Sequence, residues 1–253
     1  MSWIAPNLKN RHNFFGRENG VSRGIFAGLN ISPKGCGSKT EWHQNLEIAA
    51  NYFGLSEQNL VLLNQGVSAK VFYADKPSCL KLEGDGLVTD QPEVILALRT
   101  ADCAPILLED AERGIIGAAH AGWRGAFKGV IENTIDLMLQ KGAKRQNIAA
   151  AVGPCIAQKS YEVDKEFYQT FQQKDMAYEK YFAIGVNDHY LFDLEGFCVD
   201  KLKNCGIENV VAAHRDTYGN ELEYYSFRRF THQGNVKENG GFAAQMSAIV
   251  LRK

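Results

Sequence analysis

The sequence predicts a single α+β domain in which mixed β-sheets are flanked by helices. Its 253 residues fit one large domain, since domains commonly hold about 100–200 residues. Runs rich in valine, isoleucine and leucine alternate with segments in which apolar residues recur every three or four positions, as buried strands and amphipathic helices do. The connection at residues 109–114 is too short for a crossover helix and favours antiparallel neighbours. No Pro/Gly/Ser-rich linker interrupts the chain, so residues 1–253 are expected to form one domain.

The composition excludes several classes of protein. Hydrophobic residues make up 45% of the chain and charged residues 23%, with only 6 prolines, which excludes disordered and collagen-like chains. The 28 Lys and Arg residues nearly balance 29 Asp and Glu residues, so nucleic acid and membrane surfaces are not expected partners. Six dispersed cysteines without a CxxC pair, and no signal-like or spanning apolar run, predict a cytoplasmic protein with reduced thiols. A small-molecule partner is favoured, with the chain a monomer or weak homo-oligomer.

Seven strands and three helices can be placed on the sequence. The strand candidates are residues 59–65, 70–74, 94–100, 104–109, 114–119, 147–153 and 208–213. Helical spacing occurs at residues 42–53, at residues 127–138 with Gly142 as the end, and at residues 194–205 between Asp193 and Gly206 as caps. The polar segment after Arg229 is predicted to be a loop.

Two polar islands interrupt the buried strands and mark a candidate site. Asp102 and Cys103 stand between two apolar runs, and His120 and Arg124 lie where the next run leads into a helix. Polar groups at such places cost stability unless they are satisfied or functional. If residues 104–109 and 114–119 form a hairpin, Cys103 and His120 meet at the same end of it. A cysteine beside a histidine can be an activated nucleophile or a pair of metal ligands, and a buried thiol beside a core histidine is the structural alternative.

The same segments resemble a known family. The matching segments are FFGRENGVSRGIFAGLN at 14–30, GDGLVT at 84–89, LRTADCAPILL at 98–108, GAAHAGWRGAFKGVI at 117–131, AVGPCIAQKSYEV at 151–163 and YYSFRR at 224–229. They are similar to the YfiH-like family, also called the laccase-domain or multicopper polyphenol oxidase family, which includes the FAMIN-related purine nucleoside phosphorylases. The resemblance implies a four-layer α/β/β/α sandwich, similar to the catalytic domain of cytotoxic necrotising factor.

The resemblance also implies site residues. In the family one zinc ion is held by a histidine of a QVHG-type motif and by the residues that correspond here to Cys103 and His120. The first histidine falls on Val67, which cannot ligate a metal, while Gln65 matches the motif's glutamine. This leaves two protein ligands where catalytic zinc sites use three. Among the remaining histidines, His214 is the best candidate for a replacement ligand.

Further roles are assigned by combining resemblance with chemistry. Cys103, His120 and Asp102 are the candidate catalytic residues, with Asp102 orienting the ligand. Candidate substrate-binding residues are Arg17, Gln65 and Arg124, because a guanidinium can bind phosphate or a ribosyl oxygen through two hydrogen bonds. The arginine pair at residues 228–229 is interpreted as structural.

Phosphorolysis of adenosine or inosine is therefore the expected activity, with adenosine deamination by a metal-bound water as a further one. Three alternatives stay open at this stage. Copper-dependent oxidation of phenols is disfavoured, because six dispersed histidines supply too few ligands. A Cys103/His120 hydrolase or deamidase rests on fold analogy. A degenerate member without catalysis, linked to peptidoglycan quality control, would explain Val67.

Overall fold

The computed structural model describes residues 2–35, 37–236 and 241–251, with the side chain of Leu80 excepted. The strands are β1 (Arg11–Phe14), β2 (Leu60–Asn64), β3 (Val71–Tyr73), β4 (Ser78–Glu83), β5 (Gly86–Thr89), β6 (Ile95–Thr100), β7 (Ala104–Asp110), β8 (Ile115–Ala121), β9 (Ala149–Val152), β10 (Glu162–Val163), β11 (Phe182–Ile184), β12 (Tyr190–Phe192), β13 (Asn209–Ala212) and β14 (Gln245–Val250). The α-helices are α1 (Lys39–Asn51), α2 (Trp123–Lys128), α3 (Val130–Gln140), α4 (Lys165–Lys174), α5 (Leu194–Asn204) and α6 (Phe227–His232).

Two mixed sheets form the centre of the molecule. One has the strand order β1-β14-β6-β2-β4 and the other the order β13-β9-β7-β8-β5-β3, and a small third sheet has the order β10-β12-β11. The predicted hairpin is present: β7 and β8 are antiparallel, from Asp110 opposite Ile115 to Ala104 opposite Ala121. Cys103 and His120 therefore lie at the open end of this hairpin, away from its turn.

Three hydrophobic cores separate four layers. Leu107 and Ile116 of the six-stranded sheet face Leu63 and Leu98 of the five-stranded sheet in the core between them. On the outer side of the six-stranded sheet a second core receives apolar residues of α3 and α5. On the outer side of the five-stranded sheet a third core receives those of α1. The layers thus follow the order α/β/β/α, which confirms the fold class that the sequence predicts.

All seven predicted strands are present, and two of the three helices agree with the prediction. Helix α1 begins after Ser38, whose side chain accepts a hydrogen bond from the Glu41 amide. Helix α5 begins after Asp193, which accepts one from the Gly196 amide, as predicted. Two further helices, α4 and α6, were not predicted.

The helix predicted at residues 127–138 is wrong in its continuity. Gly129 has φ +99° and divides it into α2 and α3. This left-handed conformation carries almost no steric cost for glycine but ends a right-handed helix. The short α2 is therefore not continuous with α3. Trp123 and Arg124, at the start of α2, line the cleft described below.

The loop predicted after Arg229 is also wrong in part. Helix α6 begins after Ser226, whose side chain accepts a hydrogen bond from the Arg229 amide, and it continues to His232. The polar composition of this segment therefore gave no sign that residues 230–232 belong to a helix. Residues 237–240 of the predicted loop lie outside the described residues. None of the helices in the described ranges has the length and apolar character needed to cross a bilayer.

Candidate active site

A cleft of about 540 Å³ lies at the open end of the β7–β8 hairpin. Ligand-binding pockets commonly have volumes of about 300–1,000 Å³. Its walls come from loops that precede and follow strands of both large sheets, and from the starts of α2 and α6. The lining residues include Lys34, Gln65, Val67, Arg99, Thr100, Asp102, Cys103, His120, Gly122, Trp123, Arg124, Tyr161, Phe227, Arg228 and Phe242.

Cys103 and His120 are brought together in this cleft. Cys103 directly precedes β7, and His120 is the penultimate residue of β8, opposite Pro105. Both side chains line the same cleft, and Cys103 is close enough to the His120 ring to raise its pKa. Hairpin topology thus gives the convergence expected from the sequence. The chemical roles of both residues remain predictions.

Asp85 fixes the orientation of the His120 ring. Its Oδ1 lies 2.8 Å from His120 Nδ1, and its backbone carbonyl accepts a 2.7 Å hydrogen bond from the His120 amide. The other carboxylate oxygen accepts hydrogen bonds from the Ser68 amide at 2.5 Å and the Ser68 hydroxyl at 2.6 Å. With Nδ1 engaged by Asp85, Nε2 is the ring atom left for Cys103 and for a ligand in the cleft.

The electrostatics of this group favour a charged histidine. Burial alone would lower the pKa of His120, but Cys103 and Asp85 outweigh it and raise that pKa to about 9. Burial likewise opposes ionisation of Asp85, yet hydrogen bonds from His120 and Ser68 lower its pKa to about 2. At neutral pH the pair is therefore an imidazolium beside a carboxylate, with the Nε2 proton available in the cleft.

Val67 and Gly122 shape the floor beside Cys103. A Cβ atom at Gly122 would lie 2.8 Å from Cys103 Sγ and 3.7 Å from the Val67 side chain, so only glycine permits this close approach. Val67 has φ +60°, a conformation that is strained for a β-branched residue. Its amide donates a 3.2 Å hydrogen bond to Asp85, which helps to hold that conformation.

Asp102 joins the Cys103 loop to the C-terminal part of the chain. Its carboxylate accepts hydrogen bonds from the hydroxyls of Thr217 at 2.7 Å and Ser226 at 2.9 Å, and from the Arg228 amide at 2.7 Å. Burial raises its pKa although these donors oppose the shift. Because protein donors engage both oxygens, we interpret Asp102 as a positioning residue. Its predicted contact with a ligand remains untested.

Two arginine side chains that line the cleft lie over aromatic rings. The Arg124 guanidinium lies 4.3 Å from the centre of the Trp123 ring, and that of Arg228 lies 5.4 Å from the centre of the Tyr161 ring. Arg228 also donates a hydrogen bond to the Glu162 carbonyl. The sequence interpretation of Arg228 as structural did not foresee that this residue also lines the cleft. The pKa of Tyr161 is raised, by burial first and then by Cys103.

Some predicted residues lie elsewhere or are engaged. Arg17 is absent from the cleft lining, and its guanidinium donates to the carbonyls of Ala27 and Glu221. His214 is exposed and pairs with Glu195 at 2.5 Å, so the structure does not place it as a replacement ligand. Gln65 lines the cleft, but both ends of its amide bond the backbone of a neighbouring strand.

Comparison with known proteins places this architecture in a family. A family model described as multi-copper polyphenol oxidoreductase laccase matches residues 11–249. The chain belongs to this laccase family. A purine nucleoside phosphorylase of Rickettsia conorii is 40% identical over 217 residues, which are 85% of this chain and 87% of that protein. One of Deinococcus radiodurans is 35% identical over 232 residues, covering 89% and 86%. The crystal structure of the hypothetical protein YfiH of Bacillus licheniformis has a TM-score of 0.85 at 25% identity, covering 95% and 92%.

The metal associated with the laccase family does not fit the donors present here. Within the described ranges, no group of three or more His, Cys, Asp and Glu side chains could hold a metal ion. Cys103 and His120 supply two donors, and the hydrocarbon side chain of Val67 lies beside them. A catalytic zinc site needs a third protein ligand, and a multicopper centre needs several histidines.

Sequence reasoning missed Asp85 and Tyr161 as site residues. Asp85 belongs to the GDGLVT segment, where an aspartate between two glycines was a usable signal. Its link to His120 depends on the pairing of β5 with β8, which the sequence pattern does not reveal. Tyr161 reaches the cleft from the loop before β10, and no local pattern distinguishes it from a core tyrosine.

Proposed function

We propose that this protein catalyses the phosphorolysis of purine nucleosides, with adenosine and inosine as substrates. The carrying observation is that one cleft combines a proton donor, His120 held by Asp85, with a strongly cationic lining. Four Lys and Arg residues line the cleft against one carboxylate, that of Asp102, among the residues that the structure describes. The phosphorylase names of the relatives from Rickettsia conorii and Deinococcus radiodurans support this choice of reaction.

The cationic lining suits the attacking phosphate. The guanidiniums of Arg124 and Arg228 lie over aromatic rings. These rings, Trp123 and Tyr161, both contact Phe167. The two arginines therefore lie on the same side of the cleft. A guanidinium offers a planar fork of donors that matches phosphate oxygens. We assign these two side chains to holding inorganic phosphate near C1′ of the ribose. A phosphate oxygen then forms the bond to C1′ as the bond from C1′ to the purine breaks.

His120 suits the departing purine. A purine leaves more readily when a nitrogen of its ring is protonated, which is general acid catalysis. With its pKa raised to about 9, His120 carries that proton at neutral pH, and Asp85 leaves Nε2 to deliver it. His120 becomes neutral when the free base forms and is reprotonated from solvent. Aromatic side chains of Trp123, Tyr161 and Phe227 line the same cleft and suit a stacked base.

The side chains of the cleft support two other activities less well than they support phosphorolysis. Adenosine deamination needs an activated water, for which the cleft offers two zinc donors rather than three. The row of Cys103, His120 and Asp85 supports a second candidate, a cysteine hydrolase or deamidase, since a thiol beside an oriented imidazole is a nucleophile arrangement. Ammonia release from carboxamide substrates that is abolished by Cys103→Ala would favour that candidate. A cytoplasmic location remains our expectation.

The decisive experiment measures base release from adenosine and inosine as a function of phosphate concentration. We expect release of adenine or hypoxanthine together with ribose 1-phosphate, and no base release without phosphate. Arg124→Ala should raise the KM for phosphate roughly tenfold, which corresponds to about 1.4 kcal/mol, and should also lower turnover. Its melting temperature should stay within a few degrees of wild type, because Arg124 is exposed.

Arg113→Ala serves as the matched control, since Arg113 is an exposed arginine at the turn of the β7–β8 hairpin, away from the cleft. Its kinetics should equal those of wild type. Phosphate-independent formation of inosine from adenosine would reveal deamination instead. Absence of phosphate-dependent base release from either nucleoside would overturn the proposed function, and an unchanged phosphate KM in Arg124→Ala would remove Arg124 from the phosphate site.

A further inference from the structure

Arg99 is a cation in the cleft wall without a counter-charge. It lies near the end of β6 in the five-stranded sheet, is half-buried and lines the cleft. Its Nη2 donates a 3.2 Å hydrogen bond to the Leu63 carbonyl. Its Nε is fully buried and has no acceptor within the described part of the chain. No described carboxylate forms an ion pair with it.

The thiol of Cys79 lies close enough to Arg99 for the guanidinium to lower its pKa, but this thiol does not neutralise the guanidinium. The pKa of the Cys79 thiol is raised above its ordinary value, because burial outweighs the attraction of Arg99. The thiol is therefore uncharged at neutral pH. Burial lowers the pKa of Arg99 itself, but an arginine stays protonated in proteins under ordinary conditions.

The backbone around Arg99 holds this cation in place. The Gln65 side chain accepts from the Arg99 amide at 2.9 Å and donates to its carbonyl at 2.8 Å. The next residue, Thr100, also lines the cleft, and its hydroxyl is buried without a partner. Nearly all buried polar groups in folded proteins have a hydrogen-bond partner. Arg99 and Thr100 are consecutive on β6, so their side chains leave opposite faces of the sheet. The Arg99 guanidinium is therefore the group that a ligand in the cleft can complete.

Arg99 belongs to a different part of the cleft from the arginines assigned above. Arg124 and Arg228 come from α2 and α6, and their guanidiniums lie over the rings of Trp123 and Tyr161. Arg99 comes from β6 of the five-stranded sheet, and its guanidinium bonds the Leu63 carbonyl of the neighbouring strand β2. Lys34, which is exposed, adds a further positive charge to the cleft lining.

We propose that Arg99 anchors a second anion subsite in this cleft, which binds a phosphoryl group. A phosphoryl dianion offers several acceptor oxygens to one guanidinium and supplies the missing charge. The group comes either from inorganic phosphate or from the 5′-phosphate of a nucleoside monophosphate. The nucleoside part of this identification rests on the proposed function, whereas the anion subsite itself rests on Arg99 and its place in the cleft lining.

Binding measurements test this subsite without any need for turnover. Wild type, Arg99→Gln, Arg99→Lys and the charge-matched control Arg113→Gln are titrated calorimetrically with inorganic phosphate, adenosine 5′-monophosphate and adenosine. At least one phosphoryl ligand should bind Arg99→Gln tenfold or more weakly than wild type, while adenosine binds both within twofold. Arg99→Lys should show a smaller loss, because it keeps the charge but not the planar fork. Arg113→Gln should match wild type.

Thermal melting gives an independent measurement on the same four proteins. Without ligand, Arg99→Gln should melt at or above the wild-type temperature, because an unpaired half-buried charge has been removed. A ligand that binds only the folded state raises its melting temperature. Phosphate or the monophosphate should therefore raise that of wild type and Arg113→Gln by more than that of Arg99→Gln, in which only the phosphate site of Arg124 and Arg228 remains. If Arg99→Gln fails to fold, the comparison of Arg99→Lys with wild type decides.

The results separate the sources and the hypotheses. A loss confined to the monophosphate assigns the subsite to a 5′-phosphate. A loss for free phosphate assigns it to an inorganic phosphate bound in addition to the one held by Arg124 and Arg228. Equal binding of both phosphoryl ligands to wild type and Arg99→Gln, or no binding to wild type, overturns the subsite. Arg99-dependent binding without base release would overturn the proposed function alone. Phosphorolysis with unchanged phosphoryl binding in Arg99→Gln would overturn the subsite alone.

Discussion

Val67 combines two unusual features at one position. It stands where the sequence resemblance implies a zinc-binding histidine, and it adopts φ +60° in the cleft that Cys103 and His120 also line. A β-branched side chain pays a steric penalty in this region, whereas histidine is found there more often. The strain lies in the cleft wall near Cys103 and His120, and such strain is common at functional sites.

Replacing Val67 by histidine should create a zinc site. A third neutral imidazole completes the usual ligand count, and the substitution should also relieve part of the backbone strain. We expect Val67→His to bind one zinc ion at least tenfold more tightly than wild type. Calorimetric titration with zinc checks this, with Val67→Asn as the control that tolerates the same backbone conformation without a strong ligand. Equal zinc affinity in all three proteins would contradict the placement of Val67.

Gly129 decides where the element carrying Arg124 ends. Its φ of +99° separates α2 from α3, and the nearest atom to a Cβ placed there would be 3.7 Å away. Space is therefore available, and only the backbone conformation opposes a side chain. A left-handed conformation costs about 1–2 kcal/mol in a residue other than glycine.

Gly129→Ala should lower the free energy of unfolding by about that amount, and the melting temperature by a few degrees. Urea denaturation and thermal melts measure both quantities. Gly66→Ala is the matched control, because Gly66 has open space and no left-handed φ; it should change stability by no more than about 0.5 kcal/mol. A Gly129→Ala protein as stable as wild type would show that α2 and α3 can join without cost.

Elements with strong periodicity could be predicted from the sequence, and short ones could not. The hairpin strands β7 and β8 are continuous apolar runs, so both they and the meeting of Cys103 with His120 were predictable. The two- and three-residue strands β10, β11 and β12 are too short for any period to show. Asp85 was out of reach for a different reason, since its contact with His120 joins residues 35 positions apart and depends on which strands pair.

At the scale of the whole molecule, charge is distributed unevenly. The formal net charge is −1, which on its own predicts no preference for anions. Yet the cleft is lined by Lys34, Arg99, Arg124 and Arg228, with Asp102 as the one carboxylate among its described residues. Composition averages over the surface, whereas a ligand responds to the local field. The positive electrostatic potential of the cleft therefore could not be inferred from the composition before the fold was known.

The His120–Asp85 pair should make global stability depend on pH. The folded-state pKa of His120 is raised to about 9, so its contribution is complete below about pH 6.5 and is lost as pH rises through about 9. That of Asp85 is lowered to about 2, so its contribution is complete above about pH 4 and is lost as pH falls through about 2. Between about pH 4 and pH 6.5 both contributions are complete.

Asp85→Asn should lower the free energy of unfolding at pH 6 by about 3–5 kcal/mol, because one partner of a buried pair is lost. It should also flatten the decline of stability between about pH 6.5 and pH 9. Urea denaturation across this range measures both effects. Asp188→Asn, which alters an exposed carboxylate, should reproduce the wild-type curve. Parallel curves for Asp85→Asn and wild type would show that the pair does not couple to folding.

The hydrogen bonds of Asp102 also determine when, during synthesis of the chain, the loop carrying Cys103 can reach its final conformation. The β7–β8 hairpin closes over a short stretch of chain, whereas the Asp102 carboxylate bonds Ser226 across 124 positions and the Arg228 amide across 126. A ribosome releases residue 103 long before residue 226. During that interval a nascent chain can hold Cys103 and His120 at the same hairpin end without the clamp on Asp102, so the site is finished only when nearly the whole polypeptide has been made.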